Sequence, residues 1–121
     1  LGGEQFGFPR LHRLTKPGEF QRVFAQPQKS SDRYFTVLAV RNDLGHDRLG
    51  LAIAKKNIKK AVDRNVIKRT VRENFRIQQN MGNIDVVVMA RRDALEVSPD
   101  ILRKSLEKHW LKLVSRCALC S

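Results

Sequence analysis

The sequence predicts an α+β fold, a single domain in which a small, mostly antiparallel sheet packs with three helices. Apolar residues recur at helical spacing in three stretches, and runs rich in β-branched and aromatic residues lie between them. With 121 residues, 41% of them hydrophobic, the chain supplies one core rather than two. The expected division is a flexible arm over residues 1–7, the domain over 8–116 and a frayed end over 117–121.

Leu1 to Lys16 has no hydrophobic period, although Arg10, His12 and Arg13 give it charge. Pro17 suits a first helical turn, and Phe20, Val23 and Phe24 then share one face of a short helix that ends before Pro27. Gln28 to Asp32 is polar and turn-like, with room for a short edge strand. Tyr34 to Val40 reads as a strand, and Arg48 to Ala54 as a second one after the loop around His46. The two are expected to pair as an antiparallel hairpin, and His46 is expected to be simply exposed. Asn80-Met81-Gly82-Asn83 is good helix-stop chemistry before the apolar run Ile84 to Ala90, which suits a central strand buried on both faces. Ser98-Pro99-Asp100 starts the last helix, whose apolar stripe includes Leu102, Leu106, His109, Trp110 and Leu113. His109 there is read as a packing residue. The order is therefore α, β, β, α, β, α, plus the short extra strand.

The long helix before the central strand dominates the functional reading. Ala54 to Arg76 carries Lys55, Lys56, Lys59, Lys60, Arg64, Lys68, Arg69, Arg72 and Arg76 against only Asp63 and Glu73. At about 100° per residue, Asn65, Lys68, Arg69, Arg72 and Arg76 gather on roughly a third of the circumference. Val62, Val66, Ile67, Thr70, Val71, Phe75 and Ile77 are expected on the core side. Like charges at i,i+4 repel, and phosphates seated between them would relieve that repulsion.

Composition points the same way. Twenty-four Lys and Arg against twelve Asp and Glu give a net charge of +12, the electrostatic footprint of a nucleic-acid binder. No long apolar run supports a membrane anchor, and Leu1 to Gly7 lacks the apolar core of a secretory signal. Cys117 and Cys120 form a lone C-x-x-C without a second ligand pair, so they are read as thiols at a frayed helix end in a reducing cytoplasm rather than a zinc site. Acidic residues are scattered, and no pair of histidines or nucleophile motif stands out, so no catalytic and no metal-ligating residues are assigned.

Arg64-Asn65-Val66-Ile67-Lys68-Arg69, followed by Arg72-Glu73 and preceded by Ala54-Lys55-Lys56, resembles the RNR signature of the bacterial ribonuclease P protein subunit. Phe8-Pro9-Arg10, Arg13-Leu14, Glu19-Phe20, Val23-Phe24, Gly50-Leu51-Ala52-Ile53 and Asp85-Val86-Val87-Val88 are similar to that family in the same order. One departure is Val66, where the family usually has a third basic residue.

The resemblance implies a left-handed βαβ crossover and a fold like the second domain of ribosomal protein S5. It also implies a non-catalytic protein subunit of a ribonucleoprotein endoribonuclease, which removes the 5′ leader of precursor tRNA. The RNA subunit would carry the active site and bind the Mg²⁺ that the holoenzyme requires. The implied partners are that catalytic RNA and precursor tRNA, with the protein a monomer in a 1:1 particle in the cytoplasm. Lys55, Lys56, Lys60, Arg64, Asn65, Lys68, Arg69 and Arg72 would bind RNA phosphates. Phe20, Phe24, Phe35, Val37, Leu38 and Ala52 would line a groove for the single-stranded leader. A ribosomal or other structured-RNA-binding protein, and a DNA architectural protein, remain open at this level.

Overall fold

The structure, a computed structural model, describes residues 12–78 and 81–119. Its centre is strand β4 (Ile84–Ala90), where six of seven side chains are buried, as a run that is apolar apart from Asp85 requires. Around it stand α1 (Pro17–Ala25), β1 (Gln28–Ser31), β2 (Phe35–Arg41), β3 (Arg48–Leu51), α2 (Ala61–Ile77) and α3 (Pro99–Leu119), with a short 3-10 helix over Arg92–Glu96. The four strands run in the order β1-β2-β4-β3.

This order corrects the hairpin expected from Tyr34 to Ala54. β2 pairs antiparallel with β4 over its whole length, Phe35 opposite Ala90 through Arg41 opposite Ile84. β3 instead pairs parallel with β4, Leu51 opposite Val88, so β4 separates the two strands expected to be neighbours. The reason is burial: β4 is apolar on both faces and belongs in the middle, whereas β1 and β3, four residues each, form the edges. The short strand expected before Tyr34 is β1, antiparallel to β2.

The alternation of side chains along the strands separates two cores. On one face Phe35, Val37, Ala39, Val86 and Val88 pack under α2 and α3, joined by Ile67, Val71, Phe75, Leu106, Trp110 and Leu113. On the other face Leu38 and Val87 pack with Leu14 and Val23, with Phe20, Val40, Ala52 and Met89 at the margin. Trp110 Nε1 donates to Asn74 Oδ1 at 2.6 Å and its ring meets Phe75 edge-on, which ties α3 to α2. Val62, Val66 and Ile77 are exposed rather than in the core as expected, because the buried stripe of α2 is Ile67, Thr70, Val71, Asn74 and Phe75.

Three further readings change. Cys117 is helical and buried rather than at a frayed end, and Cys120 lies outside the described residues. His46 is half-buried, its ring edge-on to His12 at 5.2 Å, where exposure alone was expected. His109 is buried as expected but is also bonded: Nδ1 lies 2.6 Å from Ser30 Oγ. The arm over residues 1–7 and the Phe8-Pro9-Arg10 segment lie outside the described residues.

Candidate nucleic-acid interface

α1 is fixed to the open face of the sheet by one buried carboxylate. Asp85 accepts from Arg48 Nε at 2.9 Å and Nη2 at 2.7 Å, from Arg22 Nη1 at 2.9 Å and from Asn42 Nδ2 at 2.7 Å. Arg48 Nη1 also reaches Glu19 Oε2 at 2.8 Å, while Glu19 Oε1 accepts the backbone N–H groups of Thr15 and Lys16. Those bonds, Lys16 first, hold the Glu19 carboxyl below its ordinary range. The network joins β4, β3 and α1, and so sets where Phe20 stands.

Phe20 rests on Gly50 of β3. A methyl group at Gly50 would lie 2.6 Å from Phe20 Cε1 and 3.0 Å from Leu14 Cδ1, so the bare backbone is what admits the ring. Beside this ring Leu51, Lys68, Arg72 and Arg13 line a cleft of about 210 Å³. Burial first, and then the positive charges of Arg13 and Arg69, hold Arg72 below the usual arginine range. Arginine stays cationic regardless, so the crowding marks a place where an anion would be stabilising.

A second, larger cleft of about 590 Å³ opens at the other end of β4. Arg33, Lys56, Arg91 and Arg92 ring it with one acid, Asp93, which lies 3.5 Å from Arg33, and Thr36 and Met89 form its floor. Its assembly depends on the β2–β4 register: Arg91 N donates to Tyr34 O at 2.8 Å, which brings residues before β2 against residues after β4. Arg33, Arg91 and Arg92 were not singled out from the sequence. The adjacent pair Arg91-Arg92 directly after the apolar run was the available signal, but its meeting with Arg33 follows only from the strand order.

The expected RNA-binding residues therefore divide. Lys68 and Arg72 line the Phe20 cleft, Lys56 lines the larger one, and Lys55, Lys60, Asn65 and Arg69 are exposed around them. Arg64 has a structural task as well, since its Nη1 donates to Ile58 O at 2.9 Å and Lys59 O at 2.8 Å, bracing the loop that leads into α2.

The expected groove residues divide too, and here the expectation is corrected. Phe20, Leu38 and Ala52 share the α1 face of the sheet, and Phe24 projects from α1 with 45% of its surface exposed. Phe35 and Val37 are fully buried on the opposite face, because alternate residues of a strand point opposite ways. Neither can line a groove with Phe20. Thr36, Val40 and Met89 occupy the open face in their place.

Among the described residues no group of three or more His, Cys, Asp and Glu side chains is placed to hold a metal ion, and no helix is long and apolar enough to cross a membrane. The most buried carboxylates are already engaged: Asp85 by arginine and asparagine, Asp47 by the N–H groups of Met81 and Ile84.

Comparison with known proteins gives concordant matches. The family model described as Ribonuclease P matches residues 8–114. A ribonuclease P protein component from Methylococcus capsulatus is 56% identical over 117 residues, covering 96% of this chain and 91% of that protein. Among solved structures, the RNase P protein of Staphylococcus aureus is similar with TM-score 0.73 and 35% identity, over 84% of this chain and 93% of that one. The RNase P protein of Thermotoga maritima gives TM-score 0.68 and 32% identity, over 86% and 96%.

Proposed function

The chain belongs to the ribonuclease P protein family, and from that premise we propose how its two clefts divide the work of a tRNA-processing subunit. As a member it is a subunit of an endoribonuclease and a partner of the ribonuclease P RNA. In our reading that RNA carries the active site and the Mg²⁺ ions, which supply the metal chemistry of hydrolysis. The protein's residues bind and position. Among the described residues the buried carboxylates Asp85 and Asp47 are committed to arginine and backbone donors, which supports leaving the metal to the RNA.

Lys55, Lys60, Asn65, Lys68, Arg69 and Arg72 on and before α2 hold phosphates of the catalytic RNA, which fixes orientation without reading sequence. The α1 face of the sheet takes the single-stranded 5′ leader of precursor tRNA. Phe20 and Phe24 offer stacking surfaces, Leu38, Ala52, Thr36 and Met89 give the floor, and Arg33, Lys56, Arg91 and Arg92 hold the leader backbone farther along. Such contacts tolerate any leader sequence, as a processor of many tRNAs requires. The observation that carries this reading is Phe20 itself: an aromatic ring seated on Gly50 in the same cleft as Lys68 and Arg72, so that base stacking and phosphate binding adjoin. The particle is 1:1 and works in the cytoplasm.

Positive charge between two polyanions also lowers the demand for bulk Mg²⁺. The test is reconstitution: the protein restores cleavage of precursor tRNA by ribonuclease P RNA at low Mg²⁺, and Phe20→Ala with Phe24→Ala weakens precursor binding more than mature tRNA binding. Equal losses for both substrates would rule out the leader groove. Failure to stimulate cleavage at all would favour a permanently bound structural protein of another RNA particle.

A further inference from the structure

Val62 and Val66 stand one turn apart on the outermost line of α2, with 62% and 42% of their surfaces exposed. The helix buries Ile67, Val71 and Phe75 on its far side, so these valines have no place in the core. An outward position one turn along a helix is ordinarily charged or polar. At about 100° per residue Arg69 lies roughly 20° from Val62 and Asn65 roughly 60°, so the apolar pair directly adjoins the cationic row rather than facing away from it.

We infer that Val62 and Val66 pack against ribose and base faces of the partner RNA, beside the phosphates held by Asn65, Lys68 and Arg69, so that α2 binds by apolar contact as well as by charge. The occupant follows from charge complementarity. A second copy of this chain would bring +12 against +12 and set Arg69 and Arg72 against their own equivalents. RNA is the partner that places negative charge on the cations and an uncharged sugar and base surface beside them. The inference rests on the RNA-binding reading of α2 above and adds to it a contact that salt does not screen.

That difference provides the test. Val62→Ala with Val66→Ala improves helix propensity, so the full-length variant keeps its fold. Its affinity for ribonuclease P RNA, measured across a salt series, falls about fivefold at every salt concentration. The slope of log affinity against log salt stays unchanged, because no phosphate contact is lost. Lys68→Ala with Arg69→Ala serves as the reference and flattens that slope by about two units. Unchanged affinity in the valine variant with a flattened slope in the reference would overturn the inference and leave the reading of α2 intact. A flattened slope in the valine variant would overturn it as well, since the valines would then act only by disturbing the cations. No effect from either pair would remove the RNA-binding reading of α2 and the inference with it.

Discussion

Arg48 grips Asp85 with two parallel hydrogen bonds, Nε to Oδ1 at 2.9 Å and Nη2 to Oδ2 at 2.7 Å, in a place where the carboxylate has no exposure to water. Removing one partner of such a pair leaves the other charge buried and uncompensated. Asp85→Ala should lower the free energy of unfolding by about 3–5 kcal/mol, read from urea denaturation. Replacing Arg48 by Met in the same chain should restore part of that loss.

Gly50→Ala tests the seat of the aromatic ring. The added methyl group, 2.6 Å from the outer edge of the Phe20 ring, pushes the ring aside rather than shifting the strand. The stability cost should be about 1–2 kcal/mol. Discrimination between precursor and mature tRNA should nevertheless fall nearly as far as in Phe20→Ala, measured by equilibrium binding of the two substrates.

Phe35→Ala should behave in the opposite sense. Its side chain is fully buried under α2 and α3, away from the open face. Truncation there should cost about 3–5 kcal/mol of stability. At a temperature where the variant remains folded, its preference for precursor over mature tRNA should match that of the unaltered protein.

Arg64 and Lys68 separate a brace from a ligand. Arg64→Ala loses two bonds from a guanidinium to the carbonyls of Ile58 and Lys59 and should destabilise the fold by about 1.5–3 kcal/mol. Lys68→Ala should change stability by less than about 0.5 kcal/mol. Both should weaken RNA binding, so denaturation midpoints are what tell them apart.

His109 gives stability a dependence on pH. Burial pushes its imidazole below the ordinary value of 6.5, against the pull of the Asp32 carboxylate, whose Oδ2 lies 3.2 Å from Nε2. Lys112 adds a smaller push in the same direction as burial. The folded state therefore binds fewer protons here than the unfolded state, so this contribution is complete above 6.5 and is lost as pH falls through the lowered folded value. Urea midpoints should decline as pH drops below 6.5, and His109→Gln should flatten that decline. Loss of the Glu19 bonds follows in a separate window below 4.5.

The residues that announced themselves were those whose pattern is local. The 3.6-residue period placed α1 and α3, Pro17 and Pro99 marked their first turns, and the apolar run of β4 identified the central strand within its observed bounds. The cations of α2 were legible for the same reason. Strand order was not, because adjacency in sequence favoured a β2–β3 hairpin, and only burial of β4 on both faces decides against it. The misplaced Phe35 and Val37 show a second limit. Both faces of β2 are covered, so no polar alternation reveals which side a residue takes. The cluster of Arg33, Arg91 and Arg92 was invisible because it is made by that same strand pairing.

The insertion of β4 between β2 and β3 has a consequence for how the molecule comes into being. Among the described residues β3 meets only a single bridge made before it, Arg13 beside Leu49, and most of the sheet's pairing awaits the segment from Ile84 to Ala90. On a translating ribosome, the core beneath α2 lacks Val86 and Val88 until that segment leaves the exit tunnel. The chain's most cationic stretch is by then already beside the most abundant RNA in the cell. Long-range closure of this kind slows folding, and completion of the sheet fixes the direction in which α2 presents cations that stay exposed throughout.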